Sequence, residues 1–317
     1  MRLIGIDSGG TSCRLVLCDE GGRVLSACRV PGHNPNADGF APLENSLRQG
    51  LDRLLEPLGG RDCPLDAVHM GAAGGAGENG EKLERMLRGL LPGCKCIRVS
   101  TDALIALSSG LGRKDGGVLI AGTGTVGFLR QQGTLHRFGG WGWMVDEGGS
   151  GWHIGRDGFR GAMAGADAGL PETLLTKLYE ERLGMKMPAA VTALYREEFR
   201  LADCAPLVFQ AAEQGDGAAL TVLRQNAASL GNTLERMCRV FGGPCTVVLV
   251  GGLLKEGSAY LTLLRQQTEN LPLTLLLPPL PPVYGAVCLA AELAGLPEDG
   301  AFARHFAESC NGKENAL

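Results

Sequence analysis

The chain has no cluster of basic residues. Its 317 residues carry 30 Lys and Arg against 34 Asp and Glu, with the signs interspersed and a formal charge of -4. A nucleic-acid partner would need a Lys and Arg stripe, so none is expected. There is no GxxxxGK[ST], which excludes a P-loop, and neither an HExxH nor a Cys/His cluster that would hold zinc. The 11 cysteines contain no CxxC and one CxC, at Cys94 and Cys96. Several others (Cys13, Cys18, Cys245, Cys288) lie in apolar segments. An odd number scattered in this way fits reduced, buried thiols in a cytosol and not a disulfide framework. Leu3 to Ile6 is the only apolar stretch before Asp7 interrupts, too short for the apolar core of a secretory signal. The one uncharged run long enough for a membrane span, Leu271 to Ala291, contains Pro272, Pro278, Pro279, Pro281 and Pro282, which break any continuous helix. A cytoplasmic protein with no membrane segment is expected.

What is present is a packed, mixed α/β pattern. A hydrophobic content of 44% over 317 residues fits two domains of ordinary size. Apolar runs at 3–6, 12–18 and 23–30, separated by Gly-Gly turns, read as an antiparallel meander. Helical spacing follows around Leu43 to Leu55, then a strand at Ala67 to Met70, a helix with Leu83, Leu87 and Leu90, and a strand at Cys96 to Val99. Between Gly215 and Gly242, apolar residues recur at three and four positions, with Asp216 as N-cap and Gly242 as terminator. Thr246 to Val250 reads as a buried strand, and 271–291 as a strand, a proline-rich loop and a helix start.

One motif occurs twice. Residues 5–17, GIDSGGTSCRLVL, set Asp7, Gly9, Gly10 and Thr11 in a tight turn between apolar strands; residues 119–129, LIAGTGTVGFL, repeat that layout with Gly122, Thr123, Gly124 and Thr125. Glycines let backbone N–H groups approach an anion, and hydroxyls add donors, so two such turns suggest two jaws on one polyphosphate. Asp7 could hold a metal-bound water. GTGTVG also fits the dinucleotide fingerprint GxGxxG, but that needs a helix directly after it, and Val126 to Leu129 continues as a strand.

Three further segments admit two readings each. In VSTDAL (99–104), the polar residues either cap a helix or present Asp102 as a general base at a strand end. GGWGWMVDEGGSGW (139–152) holds all three tryptophans beside Asp146 and Glu147. They either plug a domain interface or form a sugar site, and ring faces beside carboxylates favour the sugar. HNPN (33–36) is a turn or a ligand-binding Asn, and VVLVGGLL (247–254) a plain connection or a flat surface for adenine.

Taken in order, DSGGT, GHNPN, STDA, AGTGT, GGWG with DEGGSG, APLVFQAAEQGD (205–216) and LVGG resemble the actin-like ATPase superfamily. More narrowly, they resemble the branch that joins N-acetylglucosamine kinases to the BadF/BadG/BcrA/BcrD ATPases. The resemblance implies two duplicated ribonuclease-H-like lobes with mixed central sheets flanked by helices. We place them at 1–115 and 116–310, with a helical insertion at about 150–215 and a tail at 311–317. It implies ATP and Mg²⁺ as cofactors. Asp7 (through water) would serve the metal; Gly9, Gly10, Thr11, Gly122, Thr123, Gly124, Ala205, Gly251 and Gly252 would serve the nucleotide. By the same analogy the sugar falls to Asn34, Asp102, Thr125, Gly140, Trp141 and Gly142. The family's last sugar acid lies in GDEGS, where this chain has DEGGS, so the position falls on Glu147 without a gap or on Asp146 with a one-residue shift. The activity implied is phosphorylation of an amino sugar, N-acetylglucosamine first and glucosamine or N-acetylmuramic acid as alternatives. The other branch implies an ATPase that activates a partner enzyme, but its cluster-binding cysteine pattern is absent from this chain. The analogy admits a homodimer.

Overall fold

A computed structural model describes residues 1–167, 172–297 and 300–310. The tail expected at 311–317 lies outside the described residues. The chain divides into two compact units, Met1–Asp115 with the segment from Pro278 onward, and Gly116–Leu277.

The first unit is built on β1 (Arg2–Ser8), β2 (Ser12–Asp19), β3 (Val24–Pro31), β4 (Leu65–Ala72) and β5 (Cys94–Thr101), in the order β3-β2-β1-β4-β5. β1 runs antiparallel to β2 and parallel to β4, which is parallel to β5. Its helices in this stretch are α1 (Pro35–Asp38), α2 (Phe40–Leu55), α3 (Gly77–Leu90) and α4 (Asp102–Leu111). The apolar stripes Leu43, Leu47, Leu51 and Leu54 of α2 and Leu83, Leu87 and Leu90 of α3 bury one sheet face through Ile4, Ile6, Val68 and Met70. Leu3 to Ile6 at the centre of β1 form a continuous buried apolar run.

The second unit repeats this plan. β6 (Gly116–Ala121), β7 (Thr125–Gln131) and β8 (Thr134–Phe138) form an antiparallel meander. Helices α5 (Gly151–Ala164), α6 (Leu174–Leu183), α7 (Met187–Tyr195), α8 (Ala205–Glu213) and α9 (Gly217–Phe241) follow. Then come β9 (Cys245–Val250), α10 (Ala259–Gln267) and β10 (Leu273–Leu276). The sheet order β10-β9-β6-β7-β8, with β9 parallel to β6 and β10 parallel to β9, is that of the first unit strand for strand. α9 carries the expected ends: Asp216 accepts from Ala219 N–H as N-cap, and Gly242 closes the helix at φ 77°.

The lobe expected at 116–310 is divided differently in the structure. From Pro278 the chain packs with the first unit, where α11 (Pro282–Leu293) and α12 (Gly300–Cys310) sit. Val283, Val287 and Ala290 of α11 and Phe302 and Phe306 of α12 bury the sheet face that carries Leu3, Val16 and Ala67. Without α11, that apolar face of β1 would be open. The approach is close: a Cβ on Gly5 would fall 2.5 Å from Val287 Cγ2. All eleven cysteines are free thiols, six of them buried. Among the described residues no helix is long and apolar enough to cross a membrane.

Candidate functional site

In the first unit, the carboxyl ends of the parallel strands β1, β4 and β5 gather the candidates, the edge where open α/β sheets bind ligands. Asp7 lies near the end of β1 opposite Arg14 of β2, whose Nη1 lies 3.2 Å from Asp7 Oδ2. Burial pushes the Asp7 carboxyl up; Arg14 draws it down, and the nearby charge of Asp102 adds to the rise. In the Gly9-Gly10 turn, Gly9 N–H donates to Ser12 O at 3.0 Å, and Gly10 and Thr11 stay exposed. Gly32 backs the turn so closely that a Cβ there would meet Gly9 O at 2.2 Å.

Asp102 is the first residue of α4, directly after β5. The capping role open to this segment is not how its side chains are used. Thr101 occupies the N-cap position without a side-chain cap bond, and its buried hydroxyl has no hydrogen-bond partner. Ser100 Oγ is engaged by Nε2 of His69 at 2.9 Å; burial pushes that imidazole down to about 4, so it is neutral. Asp102 Oδ1 accepts from the adjacent Ala103 N–H at 3.0 Å, and burial raises the carboxyl above its ordinary value. Asn34 caps α1, its Oδ1 accepting from Asn36 N–H at 3.0 Å, beside a small amide cluster in which Asn79 Nδ2 donates to Asn36 Oδ1 and Gly74 O.

In the second unit, the Gly122-Thr123-Gly124 turn joins β6 to β7. Gly122 N–H donates to Gly124 O, while Gly122 O and Thr123 O accept from Gly151 and Trp152 N–H at the start of α5. Gly251, after β9, has φ 116°, and a Cβ on it would strike Ala121 O at 2.1 Å. No other residue fits there, and Gly252 beside it is open. Ala205 begins α8, and its methyl lies in the unit's core.

The segment 139–152 is an exposed turn on a rigid base. Trp141, Trp143, Met144 and Val145 are exposed, whereas Trp152 packs on the unit's core and stacks with the Trp143 ring at 4.5 Å. The Arg137 guanidinium covers the Trp141 ring at 4.3 Å and donates to Gly139 O and Gly140 O. Asp146 accepts from Trp141 N–H and Gly142 N–H, one on each oxygen and both at 3.1 Å, whereas Glu147 pairs with Arg236 of α9 at 3.1 Å. Beneath them, buried side chains hold the backbone. Asn226 Oδ1 accepts from Gly149 N–H at 2.8 Å, and the Tyr260 hydroxyl donates to Gly149 O at 3.0 Å. His153 Nε2 donates to Asp146 O at 3.1 Å, since a carbonyl only accepts, and burial lowers its pKa. Thr125 Oγ1 donates to Gly148 O at 3.4 Å, tying the glycine turn to this base.

Sequence reasoning did not find Arg14, Gly32, His69, Arg137, His153, Asn226, Arg236 or Tyr260. Arg14 had a signal, because drawing the first hairpin with its turn at Gly9-Gly10 places positions 7 and 14 opposite each other. Asn226 and Tyr260 had none, being 77 and 111 residues from the glycine they hold.

Residues 4–290 match the model of the BadF/BadG/BcrA/BcrD ATPase family. An N-acetyl-D-glucosamine kinase of Dictyostelium discoideum is 28% identical over 290 residues, 85% of this chain and 91% of that protein. A glucosamine kinase of Vibrio cholerae is 28% identical over 237 residues, 72% of this chain and 77% of that one. Among solved structures, a protein of Chromobacterium violaceum assigned as an N-acetylglucosamine kinase superposes with a TM-score of 0.69 at 23% identity, covering 92% of this chain and 98% of its own.

Proposed function

The chain belongs to the BadF/BadG/BcrA/BcrD ATPase family, and from that premise we propose that it is an ATP-dependent amino-sugar kinase acting on N-acetylglucosamine at the primary hydroxyl. The observation that carries the chemistry is the state of Asp102. It is a half-buried carboxylate at a strand end, released from capping and raised in basicity by burial. A general base needs that combination. As the sugar oxygen forms its bond to the γ-phosphorus and the bond to ADP breaks, the hydroxyl proton passes to Asp102. Positioning and charge neutralisation supply most of the acceleration in such transfers, and the base a smaller share.

Gly9, Gly10 and Thr11 of one unit and Gly122, Thr123 and Gly124 of the other would serve the phosphates, with Gly251 and Gly252 at the adenosine. Ala205 keeps the nucleotide role that resemblance gives it through its backbone alone, since its methyl is buried. Asp7 would hold Mg²⁺ through water. Its hard oxygen donors fit this ion, which keeps several waters and takes one or two carboxylates with substrate phosphates. When bound, the ion neutralises phosphate charge; Arg14 meanwhile offsets part of the rise that burial imposes on the Asp7 carboxyl. Asn34, Thr125, the Gly140-Trp141-Gly142 turn and the acids at 146 and 147 would bind the sugar. Action in the cytoplasm on a small sugar, without nucleic acid and as a homodimer, belongs to the same reading.

A coupled assay of ADP release across N-acetylglucosamine, glucosamine, N-acetylmuramic acid, N-acetylmannosamine and glucose tests it. N-acetylglucosamine should stimulate release most. Release that no sugar stimulates would leave an ATPase acting on a partner protein and end the kinase reading.

A further inference from the structure

Asp146 and Glu147 are adjacent acids in different employment. Both oxygens of Asp146 are taken up by the N–H groups of Trp141 and Gly142. Glu147 reaches instead to Arg236 Nη1 at 3.1 Å, and Arg236 Nη2 donates to Thr233 Oγ1 at 3.1 Å, one turn earlier on α9. The guanidinium is thereby fixed at two points. A small cavity is lined by Thr125, Gly139, Asp146, Glu147, Thr233 and Arg236, and Arg236 is its only cation among the described residues.

We propose that Arg236 is a positioning residue that sets substrate choice: it holds Glu147 as the sugar-facing acid and, by neutralising it, biases the site toward N-acylated sugars over free-amine sugars. Asp146 then shapes the Gly140-Trp141-Gly142 turn. The inference rests on the amino-sugar kinase reading. A lone carboxylate attracts the ammonium of a 2-amino sugar more strongly than it does the N–H of a neutral amide. Beside a guanidinium that extra attraction is weakened, and the neutral amide loses less. The two side chains are about half exposed, at 43% and 56%, so water screens the effect. The bias is roughly threefold to tenfold.

The test compares kcat/KM for N-acetylglucosamine and glucosamine at a slightly acidic pH that keeps the amine protonated, in wild type, Arg236→Met, Arg236→Lys and the double variant Arg236→Met/Glu147→Gln. Arg236→Met should move the ratio toward glucosamine by about threefold to tenfold, more through KM than through kcat. Arg236→Lys should keep the wild-type ratio, and the double variant should return to it. If Arg236→Met lowers both kcat/KM values in equal proportion, or the ratio moves equally in the Lys variant, Arg236 is merely structural and the inference falls. A wild type that phosphorylates neither sugar overturns the kinase reading and this inference with it; one that phosphorylates either sugar but shows an unmoved ratio in Arg236→Met overturns this inference alone.

Discussion

The two glycine turns sit at matching places in the same sheet plan and differ in charge and bonding. The turn after β1 is charged: Asp7 faces Arg14 across the hairpin, and Asp102 bears on it from β5's end. The turn after β6 carries no acid, and two of its carbonyls are bound by the first amides of α5. With those carbonyls occupied and its own side chains limited to hydroxyls, the second turn can offer an anion donors without the repulsion of an acid. The first can handle a cation. The two halves of the duplicated scaffold thus differ in a few residues and not in topology.

The sharpest way to break this comparison is in the first unit. Asp102→Asn should lower kcat by about 10² to 10⁴ while sugar binding, followed by calorimetry, persists; near-normal turnover would remove Asp102 as base. Asp7→Asn should cost about 10² in rate at fixed metal and raise the metal concentration needed for half-maximal rate. Its counterpart Thr123→Ala should leave the metal requirement unmoved and raise KM for ATP about threefold to tenfold, the worth of one hydrogen bond. Equal metal sensitivity in both variants would show that the turns are interchangeable. In the second unit, Gly251→Ala places a methyl against Ala121 O at a left-handed φ, and thermal or urea unfolding should show a loss of about 3 kcal/mol.

The smallest effect concerns pH. Burial raises Asp102 in the folded state, so the fold holds that proton more tightly than the unfolded chain does. Stability is therefore lost as pH rises from the ordinary carboxylate range through the raised folded value. Asp102→Asn should melt higher than wild type at neutral pH, by about 1 kcal/mol or less, with the gap closing at acid pH. An unchanged gap across pH would contradict the burial account.

Much of this was legible because it is local. Asp216 and Gly242 bound α9 as helix chemistry predicts, and the three apolar runs of the first meander became β1 to β3. The return of α11 to the first unit was not legible, since an apolar helix pattern at 282–293 does not say which sheet face it covers; Gly5 against Val287 is a contact of 282 residues' separation. Asp102 was placed correctly at a strand-to-helix junction, but the pairing of His69 with Ser100 beside it joins two strands and was not legible. In 139–152 the sequence exposed the pair of acids but not their division, which is decided by Arg236 on a distant helix.

The central claim is transfer of the γ-phosphoryl group to a sugar hydroxyl. Phosphorus NMR of a reaction with ATP, Mg²⁺ and N-acetylglucosamine follows that group directly. The account predicts a phosphomonoester at the sugar's primary carbon, formed in step with ADP. ADP accompanied by inorganic phosphate at the same rate with and without sugar would contradict it.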